Sequence, residues 1–478
     1  MVPAINLLAP EILSEILQRV VHGRKALCRQ HVRFLSHVDR HWRSVALNTP
    51  QLWTTIVTSH PFKATSDPEY ITDWVERAKA LPVTFVLRGL KSNSIKAIVN
   101  VIKTIGPSID TVYFDGGHCW PLDGAFKDVT PGSFSFPRLR RFKCRSLAPL
   151  HIIERHFLHA MPMLEQVSLD VGSFCTLRML RPFFPWLTHF QATSSDVETI
   201  TELFLHARFL RYCRVSTSET SLNLPQPFRH DTLRSLYISS WQENPLVLSQ
   251  WVPSFPNLKH LTMFVVHLER FSDDGTPAVP LLLRPSSAGL QYLDLLLSNV
   301  TVDQFAQCLT HMPDVRFLHL YGGVSEGYIN ALIYDPESNF LLVPRLEVLS
   351  ISGIEFKAKV LWDFALSRAR TLEHGLGDEF VHPLSKLPTL DLSSKLSAMQ
   401  LRNPQPCGTL WYIKLTRGEG INFLRSRFAP MVSRMQRALG ITLKIAGGPH
   451  HSPRRDAMDL LGLGVGDDSD WDWRGTVF

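Results

Sequence analysis

A unit of apolar-x-x-apolar-x-apolar recurs from residue 109 onward and dominates the pattern of the chain. It runs through Ile109/Val112/Phe114, Leu139/Phe142/Cys144, Leu164/Val167/Leu169, Leu187/Phe190/Ala192 and Leu210/Cys213/Val215. It continues as Leu233/Leu236/Ile238, Leu258/Leu261/Met263, Leu290/Leu293/Leu295, Val315/Leu318/Leu320 and Leu346/Leu349/Ile351, with a last copy at Leu410/Ile413/Leu415. Successive starts are mostly 23 to 32 residues apart. The unit predicts a short strand, and the stretches between read as helices. Ser94 precedes a face of Ile95, Ile98, Ile102 and Ile105, and Val197, Ile200, Leu203 and Phe204 share another. Thr301 and Gln304 form a capping-box pair ahead of Phe305, Cys308 and Leu309. A Pro often precedes the strand, as in Phe136-Pro137, Met161-Pro162, Phe255-Pro256 and Met312-Pro313, where it ends a helix before the sheet begins. A helix and a short strand cannot bury their apolar faces alone. Stacking copies makes one continuous core, so the expected fold is an α/β solenoid with a curved parallel sheet.

The N-terminus carries a different pattern. Leu8, Ile12, Leu13, Ile16, Leu17 and Val20 recur at helical spacing, with Pro10 and Glu11 suited to a first helical turn. A second stripe follows in Phe34, Leu35, Val38, Trp42, Val45 and Ala46, and Asn48-Thr-Pro50 breaks it before Leu52-Trp53. So short a helical segment cannot build a large core, so part of its apolar surface must meet the next domain or a partner. Read from the residues alone, it is either a cap that closes the solenoid or a docking module.

Two resemblances sharpen this reading. The period is close to that of leucine-rich repeats, although the units are irregular and Asn299 is the one plausible member of the usual Asn ladder. The strings Leu8-Ala-Pro10-Glu11-Ile12-Leu13, Leu35-Ser-His-Val38-Asp-Arg40-His-Trp42-Arg43 and Leu52-Trp53 resemble an F-box. Ala9 stands where that family more often has Pro, and the stretch from His22 to Arg33 is longer and more basic than a minimal F-box linker. Ile71-Thr-Asp-Trp74-Val75-Glu76-Arg77-Ala78, then Leu81 to Phe85, is similar to the segment that joins the box to the repeats in such proteins. The resemblance implies a substrate receptor of a Skp–cullin–F-box ubiquitin ligase. Leu8, Pro10, Ile12, Leu13, Ile16, Leu35, Val38 and Trp42 would then serve adaptor contact. Some of these eight must pack inside the motif instead, and sequence cannot sort the two groups.

Composition narrows the class. With 45% hydrophobic and 19% charged residues the chain should fold. A net charge of +7 would help docking onto an acidic partner but does not by itself imply nucleic acid. The basic cluster Arg24, Lys25, Arg29, Arg33, Arg40 and Arg43 reads as a solvated face or a complement to an acidic adaptor. Seven scattered cysteines without C-x-x-C spacing fit reduced thiols, and neither a secretory signal nor a membrane-spanning run is evident, so a cytoplasmic or nuclear protein is expected. His118-Cys119 and His450-His451 have no second ligand pair at zinc spacing, and no P-loop or G-x-G-x-x-G is present; no metal or cofactor is expected.

One enzyme-like motif stands out. Gly323-Val-Ser325-Glu-Gly327 matches G-x-S-x-G between an apolar strand and a helix, and Asp363 or Asp378 with His374 or His382 could complete a serine-hydrolase triad. The strand shares the register of its neighbours, however, so the glycines are explained as the turn that leaves a repeat strand. The expected organisation is a helical F-box motif over 1–60, a linker and array start over 61–107, repeats over 108–416, a capping helix over 417–446 and a mobile tail over 447–478. The tail ends in an acidic run with two Trp, Asp467-Asp-Ser-Asp-Trp471-Asp-Trp473, which reads as solvated or as a short docking peptide. The expected function is non-enzymatic: one module binds the adaptor, the repeats a protein target. A repeat scaffold with no ligase role is the alternative, with the hydrolase more distant.

Overall fold

Seven of the repeats open on the same turn, which their sequence dictates. In Phe136-Pro137-Arg138-Leu139 the amide of Leu139 donates to the carbonyl of Phe136 at 3.2 Å, and the same bond closes Met161–Leu164 (3.3 Å), Phe184–Leu187 (3.2 Å), Ala207–Leu210 (3.0 Å), Phe255–Leu258 (3.0 Å), Met312–Val315 (3.4 Å) and Val343–Leu346 (3.0 Å). Pro occupies the second position in all of these but Ala207–Leu210, where Arg208 stands, and its fixed φ preforms the turn. The first and last residues of each turn point into the core, and the chain leaves as a strand.

The computed structural model describes residues 8–23, 32, 34–58, 67–88, 92–117, 130, 132–146, 161–170, 177–193, 197–217, 229–240, 255–265, 289–297, 301–310, 312–333, 342–352, 357–373, 410, 412–417, 435 and 442–447. The chain divides between Ser218 and Glu219 into two compact units. In the first, helices α1 (Pro10–Gly23) and α2 (Arg40–Asn48) and a 3₁₀ turn (Pro50–Trp53) lead into β1 (Thr55–Thr58). There follow α3 (Asp67–Ala78), β2 (Val83–Arg88), α4 (Ser92–Ile105), β3 (Ile109–Gly117), β4 (Arg141–Ser146), β5 (Gln166–Asp170), β6 (His189–Ala192), α5 (Val197–His206) and β7 (Tyr212–Thr217). All seven strands pair in parallel and in chain order.

The second unit repeats the scheme. Strands β8 (Ser235–Ser240), β9 (His260–Val265), β10 (Tyr292–Leu296), β11 (Phe317–Tyr321), β12 (Val348–Ser352), β13 (Tyr412–Arg417) and β14 (Thr442–Gly447) again pair in parallel and in order. Among the described residues, α6 (Val302–Thr310), α7 (Glu326–Ala331) and α8 (Ala358–Glu373) provide helices between strands, as parallel pairing requires a crossover. The architecture is an α/β solenoid.

Register explains the repeated unit. Phe142, Val167, Phe190 and Cys213 stand in one row across β4–β7, and Leu236, Leu261, Leu293, Leu318, Leu349 and Ile413 in one row across β8–β13. All are buried. At roughly 1.5–3 kcal/mol for each fully buried side chain, these rows are the main source of stability. Burial pushes up the thiol pKa of Cys213, in the first of these rows, and of Cys308, on α6, which keeps both protonated and unreactive.

Local signals hold where they act through short-range bonds. The Thr301 amide donates to Gln304 Oε1 (2.9 Å) and the Gln304 amide to Thr301 Oγ1 (3.2 Å), a reciprocal capping box at the start of α6. Ile98, Ile102 and Ile105 are buried along α4, which begins at Ser92, two residues before Ser94. Differences arise at the edges of the array. Strands β1 and β2 extend it toward the N-terminus, and β14 adds a copy after Leu410/Ile413/Leu415. The span 421–439 lies outside the described residues except Met435, which is buried, and Asn299 and the tail beyond Gly447 also lie outside them.

Candidate functional site

The N-terminal helices form a small unit whose interior is built from part of each apolar stripe. Leu13 and Leu17, one turn apart on α1, are fully buried, as are Val32 and Ala46, while Trp42 and Val45 of α2 are nearly so. Asp39 caps α2, its carboxylate accepting from the Trp42 amide at 2.9 Å, which is worth about 1 kcal/mol to such a helix. His41 Nε2 lies 3.3 Å from the Leu8 carbonyl, and Thr49 bridges the two helices through Ser14 Oγ at 3.1 Å and Val45 O at 2.7 Å.

Other members of each stripe face solvent. Ile12 is 50% exposed, and Ile16 and Val20 follow it at four-residue intervals along one face of α1. In the segment before α2, Phe34 is 68% and Val38 57% exposed, while Leu47 is exposed on α2 itself. Of the eight residues expected at an adaptor contact, Pro10, Ile12, Ile16 and Val38 are exposed, Leu8 and Leu35 are half-buried, and Leu13 and Trp42 belong to the interior. Phe34 and Val20 were not among the eight, yet they show the same outward exposure. Ile12, Ile16, Phe34 and Val38 leave 36% to 68% of their surface in water, apolar area that a partner would bury.

The closing Leu52-Trp53 welds this unit to the array. Both residues are buried, and Trp53 Nε1 donates to Ala46 O at 2.9 Å. Trp53 packs edge-on against Trp74 of α3 with centroids 4.7 Å apart, and the Arg77 guanidinium lies 4.7 Å over the Trp53 ring. Tyr70 extends the cluster, 5.1 Å from Trp74. The helical motif and the first repeats therefore share one core, which fixes the orientation of the exposed face relative to the first strands.

A second candidate group lies buried on the strands of the second unit, on the side opposite the leucine rows. Tyr292 and Phe317 stack in parallel at 4.5 Å, and Asp294, His319 and Ser350 occupy the next row. Asp294 Oδ1 is 3.0 Å from His319 Nδ1, and His319 Nε2 is 3.1 Å from Ser352 Oγ. The order Asp–His–Ser is that of an acyl-transfer triad, but Asp294 and His319 are buried in the sheet rather than open to a substrate. The cluster is a polar row on a sheet face.

Ser325, the residue of the G-x-S-x-G motif, is half-buried at the N-terminus of α7. Gly322 and Gly323 adopt φ of 84° and 76°, which explains them as the turn out of β11. A Cβ on Gly327 would come within 2.8 Å of Val302 Cγ2, so that glycine is explained by close packing of α7 on α6. His374, Asp378 and His382 lie outside the described residues, and Asp363 is half-buried on α8. Among the described residues no three His, Cys, Asp or Glu side chains are grouped to hold a metal ion, and no helix is long and apolar enough to cross a membrane.

No protein-family model and no curated protein matches the chain. Among solved structures, the crystal structure of the yeast Rad7 and Elc1 complex is similar over 73% of this chain and 90% of that one, at 15% identity and a TM-score of 0.41. A crystal structure of a protein from Bacteroides fragilis is similar over 54% of this chain and 72% of that one, at 14% identity and a TM-score of 0.34. Likenesses this remote carry no argument about binding or activity.

Proposed function

We propose that this chain is the substrate-recognition subunit of a Skp–cullin–F-box ubiquitin ligase. Its N-terminal helices bind the Skp-type adaptor, and its repeats hold a protein target. The observation that carries this reading is the outward face of the motif: Ile12, Ile16, Phe34 and Val38 are exposed, while Leu13, Leu17, Trp42 and Val45 supply the interior. A cap that merely closed a solenoid would turn a polar outer face to water. Ile12, Leu13, Val38 and Trp42, which carry the resemblance to an F-box, contribute to this face and its support.

No residue of this chain needs to act chemically in such a role. Holding a target lysine near an activated ubiquitin raises its effective concentration, and the contact between Trp53 and Trp74 ties the docking motif to the first repeats. A cytoplasmic or nuclear location goes with this reading. When the full chain is purified from cells, the adaptor and a cullin should be recovered with it in near-stoichiometric amounts. Recovery of neither, from a folded chain, would leave a repeat scaffold with no ligase role.

A further inference from the structure

Residues 16–38 carry Arg19, Arg24, Lys25, Arg29 and Arg33 and no Asp or Glu. Docking through Ile12, Ile16, Phe34 and Val38 rests on apolar contact and leaves this run of charge unexplained. Its length and basicity are also where the motif departs from the F-box pattern. The run ends on Arg33-Phe34-Leu35-Ser36, so a serine stands three residues after the last cation.

Ser36 lies between two residues of the exposed face. Phe34 precedes it by two positions and is 68% exposed, and Val38 follows it by two and is 57% exposed. Ser36 itself is half-buried in the turn that leads into α2, and His37 beside it is exposed. Short-range backbone bonds hold this turn: the amides of Ser36, His37 and Val38 donate to Val32 O (3.0 Å), Phe34 O (3.0 Å) and Leu35 O (3.4 Å). A turn closed by so few local bonds, with three side chains in water, opens at a small fraction of the global stability. Its serine can therefore enter an enzyme's active site without unfolding the motif. The serines of the two helices differ on both counts. Ser14 and Ser44 lie inside α1 and α2, with Glu11 and His41 three residues before them.

We infer that Ser36 is a phosphorylation site for a protein kinase that selects basic residues ahead of the acceptor, and that its phosphorylation releases the adaptor. In the transfer the Ser36 hydroxyl oxygen bonds to the γ-phosphorus of ATP, its proton passes to the kinase's base, and ADP departs. Arg33 and the cations before it supply the charge that an acidic substrate cleft pairs with. The product carries about two negative charges and three acceptor oxygens between Phe34 and Val38. Seating that face on an apolar partner then strips water from a phosphate, so the modified chain binds more weakly. The release rests on the adaptor-docking reading; the modification does not.

Treating the purified full chain with ATP, magnesium and a kinase selective for Arg three residues before serine tests both parts. Mass spectrometry locates the phosphate, and titration calorimetry measures adaptor affinity before and after. The expected result is phosphate on Ser36, with the rate of its addition at least about tenfold lower in Arg33→Ala. Adaptor affinity should fall at least about tenfold on modification and stay unchanged in Ser36→Ala treated in parallel. No phosphate on Ser36, or an equal rate in Arg33→Ala, would overturn the site. Equal affinity of the modified and unmodified chains would overturn the release, as would a lower melting temperature after modification, which would assign the loss to unfolding. An unmodified chain that fails to bind the adaptor would remove the docking reading and the release together, while phosphate on Ser36 would still support the site.

Discussion

A full chain carrying Ile12→Asp and Ile16→Asp binds a Skp-type adaptor at least about 100-fold more weakly than wild type, yet unfolds at nearly the same temperature. The expected loss follows from placing two carboxylates in an apolar interface where each side chain would contribute about 2 kcal/mol; about 2.8 kcal/mol in total is a hundredfold. Stability is spared because both side chains point outward, and exposed substitutions usually stay within about 0.5 kcal/mol. Leu13→Asp is the informative contrast. It would bury a carboxylate in the fully enclosed interior, so it should melt the motif and lose the adaptor together. Titration calorimetry with purified adaptor, beside thermal melts of each variant, separates the two outcomes. Equal affinity in wild type and the Ile12/Ile16 variant would remove the adaptor contact from this face.

Arg368→Met should destabilise the second unit by roughly 3–5 kcal/mol. Arg368 is 2% exposed on α8, and its guanidinium donates to Val343 O (2.9 Å), Leu332 O (2.9 Å) and Leu342 O (2.7 Å). Val343 has φ of 45°, a left-handed conformation that a β-branched residue adopts only under constraint. It also opens the turn Val343–Leu346 that launches β12. Arg368 thus fastens three carbonyls and the strained start of a repeat strand. Removing it leaves those carbonyls buried without that donor, at about 1–3 kcal/mol each before relaxation. Lys at 368 keeps the charge but not the planar fork, and should recover only part of the loss. Since the chain has two units, one melting temperature would mix them; denaturant-dependent labelling of the buried Cys308 thiol reports on the second unit alone. A Met variant whose Cys308 is as protected as in wild type would contradict this role.

What could be read from sequence follows the range of the forces involved. The leucine rows were legible because a strand alternates with period two and each repeat restates the same register. The Thr301–Gln304 box was legible because both of its bonds span three residues. On α1 the limit is angular. Ile12 and Leu13 differ by one residue, about 100° around the helix, so one stripe holds both an inner and an outer file until the packing partner is known. The strands at Thr55–Thr58 and Thr442–Gly447 lack the full repeat unit and form through pairing with a neighbour. Arg368 carries no local signal at all, since its partners lie 25 to 36 residues away. Met163, Trp186 and Phe209 recur in the sequence at a constant interval, but only the turn geometry separates an exposed apolar residue from a core one beside it.

Amide hydrogen exchange of the full chain, with and without a purified Skp-type adaptor, tests the central claim most directly. Binding should slow exchange in Pro10–Gly23 and in residues 34–38, and leave the strands of both units unchanged. Protection confined to the strands, or none anywhere at saturating adaptor, would contradict the assignment of the N-terminal helices as the adaptor-docking module.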